Sequence, residues 1–184
     1  WTAEVRAPRS GAAGHTAYAG GIRPIADRCT AKHEESFTVR VTGFPAGMFQ
    51  TNCYVVSRDE GTDCIVVDPG QDAAAPLYSF LDDAGLTPIA VLLTHGHLDH
   101  MWDATPVCAR FDIPLYVHPD DRHMLTDPAS GIGPVLAPLI AHSTFEEPAT
   151  VVELAHGDVL DVAGLGVTVA HTPGHTRGSV VFRL

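Results

Sequence analysis

Apolar residues recur in short runs from about Thr38 to the end of the chain. Runs of strand length predict strands over residues 38–44, 52–57, 64–67, 89–94, 115–118, 151–154, 159–162, 167–171 and 179–184. Helices are predicted over residues 72–84, 98–111 and 119–125, and near 135–142 within a proline-rich insertion at 127–149. Strands and helices alternate first and strands dominate later, which indicates an α/β fold with a mixed sheet whose last four strands form a meander.

The first 37 residues differ from the rest of the chain. They are rich in Ala, Gly and Arg and show no sustained apolar period. We interpret them as a flexible extension, or as sequence foreign to the native protein. The folded domain is therefore predicted to comprise residues 38–184.

Charge and composition narrow the possible partners. The net charge is −11 and Lys32 is the single lysine, which disfavours general binding to nucleic acid. No apolar stretch reaches the roughly 20 residues needed to span a bilayer, and the first residues lack the pattern of a signal peptide. We expect a cytoplasmic protein with no membrane partner, whose cysteines are buried apolar side chains in a reducing compartment.

The segment Thr94-His95-Gly96-His97-Leu98-Asp99-His100 places four potential metal ligands within six residues, directly after a predicted buried strand. Gly96 lets the backbone turn sharply, so that His95 and His97 can converge on one ion. Asp99 and His100 would point elsewhere, which favours a second ion beside the first. Ligands of this type, without cysteine, suit zinc, iron or manganese in a catalytic site. The alternative is a histidine-rich surface turn in which Asp99 caps the following helix.

A second cluster lies at residues 171–179, where His171 and His175 flank the turn residues of Thr172-Pro173-Gly174. One of these histidines could supply a third ligand to the first ion, although the cluster alone is equally consistent with an ordinary turn. Asp68 ends a strand and could hydrogen-bond a ligand histidine or only its own turn. His118 ends another strand, where a structural role is favoured over a place in the crevice. The remaining histidines are predicted to be exposed or structural: His15, His33, His123, His142 and His156.

The motifs THGHLDH and HTPGHTRGS together resemble the metallo-β-lactamase superfamily, most closely its glyoxalase II-like (hydroxyacylglutathione hydrolase-like) branch. The resemblance covers residues 37–184 and implies an αββα sandwich, of which the chain would hold the N-terminal half to two thirds. It makes His95, His97 and His175 ligands of one metal ion. Asp99 and His100 become ligands of the second, and Asp68 lies beside the metals.

The family's second half supplies a bridging aspartate and a further histidine, and the sequence stops at Leu184 before either position. The resemblance therefore implies two Zn²⁺ ions in the complete protein, with iron or manganese as alternatives, and one ion in this chain by itself.

The resemblance implies a zinc-dependent hydrolase, specifically a thioesterase in which a zinc-bound hydroxide attacks the carbonyl carbon. The expected substrate is a small-molecule thioester, such as a hydroxyacyl conjugate of a low-molecular-weight thiol, and Asp99 is the candidate catalytic residue that orients the water. Three alternatives stay open. They are a mononuclear-iron persulfide dioxygenase, a lactone or β-lactam hydrolase, and a metal-binding fragment without turnover. The sequence contains no indication of oligomeric state.

Overall fold

A large mixed sheet forms the centre of the molecule in a computed structural model, which describes residues 2–6 and 37–184. Its strands lie in chain order, from β1 to β7. They are β1 (Thr2–Arg6), β2 (Thr38–Ala46), β3 (Thr51–Arg58), β4 (Asp63–Val67), β5 (Thr87–Leu92), β6 (Leu115–Val117) and β7 (Val151–Glu153). Neighbours from β1 to β4 are antiparallel, and those from β4 to β7 are parallel.

A second sheet is antiparallel and has the order β10-β9-β8. Its strands are β8 (Val159–Val162), β9 (Leu165–His171) and β10 (Val180–Arg183). The helices are α1 (Ala74–Ala84), α2 (Leu98–Met101), α3 (Ala104–Phe111), α4 (Pro119–Arg122) and α5 (Ala129–Leu136), with 3₁₀ turns at His123–Leu125 and Ala137–Ile140.

The middle of the large sheet is buried on both faces, as the continuous apolar runs of β4 and β5 predicted, because consecutive residues of both strands are buried. On β5, Val91 packs in the core shared with α1 and α3, whereas Ala90 and Leu92 pack against residues of β8 and β9 such as Leu165. This alternation follows from the period of two along a strand. The described residues therefore form three layers, which are the helices, the large sheet and the small sheet. This agrees with the α/β sandwich expected from the sequence.

The helix predicted over residues 98–111 was wrong as a single element, since α2 and α3 are separate. Asp103 lies at the junction, where its backbone N–H donates to Pro69 O at 2.9 Å. Its carboxylate accepts the N–H of Ala74, the first residue of α1, at 2.8 Å. These bonds tie the junction to the turn before α1 and replace the continuous helical ladder.

Three other sequence predictions need correction. The strand at 151–154 is not part of the meander, because β7 pairs in parallel with β6 in the large sheet. The helix expected near 135–142 begins earlier, and α5 is interrupted at Gly133, where φ is 66°. At the N-terminus, Thr2–Arg6 pairs with β2, which departs from the predicted flexible extension. Residues 7–36, on which most of that prediction falls, lie outside the described residues.

Cys53, Cys64 and Cys108 are free and buried, in agreement with the apolar role predicted for them. Burial raises the pKa of Cys64 to about 12 and that of Cys53 further. Cys29 lies outside the described residues. No helix in the described part of the chain is both long and apolar enough to cross a membrane.

Candidate metal centre

The two histidine-rich loops meet where the two sheets come together. The first loop follows β5, and the second connects β9 to β10. The backbone N–H of Val180, the first residue of β10, donates to Thr94 O at 2.8 Å. This bond holds the two loops in register at one edge of the sandwich, where loops can direct several side chains into one crevice.

The side chains of His95, His97 and His175 converge in this crevice. Their ring centroids form a nearly equilateral triangle with sides of 4.8, 4.7 and 4.6 Å, and each pair of rings is nearly perpendicular, at 78–81°. One ring nitrogen from each lies within 4.8 Å of the other two. His97 Nδ1 and His175 Nε2 approach to 3.0 Å. Three imidazoles with nitrogens facing one point can share a tetrahedral metal ion.

An unpartnered nitrogen of His95 supports the fit of a metal ion to these three histidines. His95 Nε2 is buried and has no hydrogen-bond partner among the described residues, a condition that is costly for a polar atom. Its other nitrogen, Nδ1, lies 3.0 Å from the Thr94 hydroxyl, which itself donates to Asp68 Oδ2 at 2.6 Å. The Thr94 oxygen must therefore accept from His95 Nδ1–H, so that Nε2 carries the lone pair. The residues present thus fit a metal ion.

The electrostatics of these histidines favour the neutral, ligating form. Burial, assisted by the nearby His100, lowers the pKa of His95 to about 4. Burial and the proximity of His175 also lower the pKa of His97. Both rings are therefore unprotonated near neutral pH, which is the state that binds a metal.

Asp99 and His100 lie beside this triangle as a separate pair. Asp99 Oδ2 is 3.4 Å from His100 Nε2 and accepts the Thr51 hydroxyl at 2.7 Å. His100 Nδ1 is 2.9 Å from Asp68 Oδ2. Burial opposes the charged form of His100, but the hydrogen bond and charge of Asp68 outweigh it and raise its pKa. The arrangement leaves His100 Nε2 directed towards Asp99, so the two could hold a second ion.

Asp68 lies close to the candidate ligands, as the sequence suggested. Its hydrogen bonds reach Thr94 and His100, well beyond its own turn. Its backbone is in the left-handed region, with φ of 52°, which aspartate tolerates better than most residues. One carboxylate oxygen accepts the Thr94 N–H at 2.8 Å, and the other contacts both Thr94 Oγ1 and His100 Nδ1. Asp68 therefore orients His95 through Thr94 and His100 directly.

Sequence reasoning missed Asp121, a fully buried carboxylate in α4. It accepts backbone N–H groups from Gly96 and Gly178, one in each histidine loop. No local signal distinguishes it, because Asp120 and Asp121 stand together in a segment that resembles an ordinary helix start.

A pocket of about 780 Å³ opens beside the three-histidine group. His97 and His175 form part of its wall, together with the exposed side chains of Asp120, His123 and Arg177. His123, which the sequence placed among exposed or structural histidines, therefore faces the candidate site. The pocket is large enough for a small-molecule substrate.

A second group, formed by His118, Asp120 and His171, also has ligand atoms within 4.8 Å of one another. Its histidine rings are stacked, however, with centroids 3.9 Å apart and planes 15° from parallel. Nearly parallel rings direct their in-plane lone pairs side by side, so one ion could not be reached by both without ring rotation. His118 is buried in this stack, and the structural role favoured for it stays a prediction.

The remaining predicted histidines do not join either group. His142 and His156 are exposed. His15 and His33 lie outside the described residues.

The family model of the metallo-beta-lactamase superfamily matches residues 46–184. The chain belongs to this superfamily. It is 57% identical over 145 residues to an uncharacterized protein of Mycobacterium tuberculosis (strain H37Rv), a match that covers 78% of the chain and 65% of the relative. It is 30% identical over 145 residues to a hydroxyacylglutathione hydrolase of Xanthomonas campestris pv. campestris (strain B100), covering 78% of the chain and 46% of that enzyme. The chain thus spans slightly less than two thirds of the mycobacterial relative's length.

Two solved structures support the same fold. The B3 metallo-beta-lactamase BLEG-1 has a TM-score of 0.65 at 35% identity, and the match covers 77% of the chain and 66% of that structure. TTHA1623 in a di-iron-bound form has a TM-score of 0.62 at 31% identity, with the same coverage. These similarities establish a metallo-hydrolase superfamily fold around a group of metal-binding type, and they leave the identity of the metal open.

Proposed function

We propose that the chain carries the metal-binding part of a metal-dependent hydrolase that cleaves a small-molecule thioester. The observation that carries the proposal is the triangle of His95, His97 and His175, in which the buried Nε2 of His95 has no partner among the described residues. The hydroxyacylglutathione hydrolase of Xanthomonas campestris supports the thioester class, and the superfamily supports hydrolysis.

The proposed roles of the side chains follow from their contacts. His95 Nε2, His97 Nδ1 and His175 Nε2 hold the first ion, while Asp99 and His100 contribute to a second. A bound ion of this kind polarises a carbonyl oxygen and lowers the pKa of water. Asp99, whose Oδ2 already accepts the Thr51 hydroxyl, is fixed in position and orients the attacking water. Zinc is the proposed metal, and iron is the leading alternative because of the di-iron-bound structure.

The pocket can position the substrate next to these groups. Its wall combines the two metal-facing histidines with one exposed cation, Arg177, and one exposed carboxylate, Asp120. A thioester bound there would place its carbonyl beside the histidine triangle. We further propose a cytoplasmic location and a small-molecule substrate, without nucleic-acid or membrane partners, as the acidic composition suggests.

The test uses the complete gene product, because the chain spans 65% of its mycobacterial relative. Metal content is measured after dialysis, and hydrolysis is followed with a hydroxyacylglutathione, a cephalosporin and a glutathione persulfide with oxygen uptake. Metal-dependent cleavage of the thioester above the other two supports the proposal. Faster cleavage of the cephalosporin would favour a β-lactamase, which the 35% identity to BLEG-1 makes the second candidate. Oxygen uptake on the persulfide, or bound metal without turnover, would overturn the thioesterase assignment.

A further inference from the structure

Asp121 connects the two histidine loops through one carboxylate. Oδ2 accepts the backbone N–H of Gly96 at 3.0 Å and the hydroxyl of Thr176 at 2.5 Å. Oδ1 accepts the backbone N–H of Gly178 at 2.8 Å. Gly96 lies between His95 and His97, and Thr176 directly follows His175, so every loop residue bound to Asp121 is within three positions of a candidate ligand.

Two glycines, one in each histidine loop, pack closely against Asp121. A Cβ atom added to Gly96 would lie 2.8 Å from the Asp121 carbonyl oxygen, and one added to Gly178 would lie 2.6 Å from its carboxylate carbon. Both glycines are therefore required for the close approach of the two loops to this carboxylate. Such contacts transmit any shift of Asp121 to both loops.

The burial of Asp121 has an energetic consequence. Its side chain is fully buried, and a buried carboxylate is tolerated only where hydrogen-bond donors compensate for its lost hydration. Three donors from the histidine loops perform this function. Because the carboxylate requires these donors, it resists any separation of the two loops.

The Thr176 hydroxyl extends this connection. It lies 2.7 Å from the hydroxyl of Ser179, which accepts the Thr176 N–H at 3.0 Å. Thr176 is itself nearly buried. The turn that carries His175 is therefore held by hydrogen bonds among its own residues and by hydrogen bonds to Asp121.

We propose that Asp121 is a positioning residue for the metal centre, which sets the spacing between His175 and the His95–His97 pair without contacting the ion. The proposal rests on the proposed metal site, and it extends that site to a residue outside both histidine motifs. Asparagine at this position keeps the shape but has one acceptor oxygen, so its amide group must face a loop N–H or the Thr176 hydroxyl. The two loops would then be held less closely.

The test is metal affinity, measured by titrating Zn²⁺ into the metal-free protein against a chromophoric chelator, together with the visible spectrum of the Co²⁺-loaded protein. Asp121→Asn is expected to weaken Zn²⁺ affinity by about 10- to 100-fold, the range typical for loss of a partner that orients metal ligands. The Co²⁺ spectrum should change in intensity, because the geometry of three nitrogens around the ion is disturbed. Asp127→Asn, an exposed aspartate in the following segment, is the charge-matched control and should leave both unchanged.

A second pair of variants covers the case in which Asp121→Asn fails to fold. Thr176→Val removes only the hydroxyl that donates to Asp121 Oδ2, whereas Thr176→Ser retains it. Thr176→Val should weaken Zn²⁺ affinity about tenfold and Thr176→Ser should not. Leu77→Ala, on the buried face of α1, controls for stability alone, since it should lower the melting temperature without changing Zn²⁺ affinity.

The outcomes separate the two proposals. If the unmodified protein binds no Zn²⁺ or other divalent metal, the metal centre itself is wrong. If it binds metal and a folded Asp121→Asn protein binds equally tightly with an unchanged Co²⁺ spectrum, the positioning role of Asp121 is wrong. Equal affinities for Thr176→Val and Thr176→Ser would likewise contradict that role. A parallel loss of affinity in Leu77→Ala would show that Asp121 acts through general stability only.

Discussion

The Thr94 hydroxyl donates to Asp68 Oδ2 at 2.6 Å, and the Thr94 backbone N–H donates to the other oxygen of the same carboxylate at 2.8 Å. This paired contact fixes Thr94 two residues beyond the end of β5, immediately before His95. Because the hydroxyl proton is committed to Asp68, the oxygen is available to accept from His95 Nδ1, 3.0 Å away. The Asp68–Thr94 pair therefore determines which nitrogen of His95 faces the candidate metal.

Replacing Thr94 with valine should weaken metal binding. The change keeps the branched shape but removes the acceptor for His95 Nδ1, so the Nε2-ligating tautomer loses its support. We expect Zn²⁺ affinity to fall by about tenfold, measured by chelator competition. Thr94→Ser, which keeps the hydroxyl, should bind nearly as well as the unmodified protein. Equal losses in both variants would indicate that the methyl group and packing, rather than the hydroxyl, are responsible.

Replacing His97 with alanine should remove most of the bound metal. His97 Nδ1 is one of the three nitrogens that face each other in the triangle. Its loss leaves two nitrogens, so affinity should fall by more than the roughly 10- to 100-fold typical of outer partners. His123→Ala is the control, because His123 lines the same pocket but lies outside the triangle. Metal content after dialysis is measured by mass spectrometry, and an unchanged content in His97→Ala would contradict the ligand assignment.

The sequence predicted those parts of the site whose signals are local. His95, His97 and Asp99 stand within five residues after a buried strand, so their proximity follows from strand and loop geometry. The meeting of His175 with this loop was inferred through the resemblance to a family, since 78 positions separate it from His97. Asp121 could not be recognised, because its role depends on donors from two distant loops.

The fold shows the same division between local and long-range signals. The end of α1 at Gly85 follows from a local C-cap signal, and the structure confirms it, with φ of 64° at that residue. The break at Asp103 depends instead on bonds to Pro69 and Ala74, some 30 positions earlier in the chain. The parallel pairing of β7 with β6 is likewise set by tertiary contacts, because its three residues carry no signal for direction.

Replacing Gly70 with alanine should disturb α2, the short helix that carries Asp99. The carbonyl group of Asp99 occupies the space in which a Cβ atom at residue 70 would lie. Since that obstacle is backbone, it cannot be relieved by rotating a side chain, and we expect destabilisation of about 1–3 kcal/mol or more. Gly166→Ala, in β9 with open space around it, is the matched control. Urea unfolding of the two variants provides the measurement, and equal midpoints would show that α2 shifts freely to accommodate the added methyl group.

The stability of the metal-free protein should depend on pH through His95. Burial, then the neighbouring His100, lowers its pKa from an ordinary value of 6.5 to about 4 in the folded state. Between these values the unfolded chain binds a proton that the folded chain resists, so this contribution to stability is present above pH 6.5 and is lost as pH falls towards 4. His97, whose pKa is also lowered, likewise reduces stability as pH falls. His100 has a raised pKa, so its contribution to stability increases as pH falls.

The measurement is urea unfolding in the presence of a chelator at several values between pH 7 and pH 4.5. The unmodified protein should lose stability more steeply than His95→Asn, by at most about 1.4 kcal/mol per pH unit, the limit for one proton. His156→Asn, which removes an exposed histidine, should retain the steep dependence. Identical slopes for the unmodified protein and His95→Asn would mean that His95 is protonated as easily in the folded chain as in the unfolded one. That result would contradict the assignment of a buried, unprotonated His95 Nε2, on which the proposed metal centre depends.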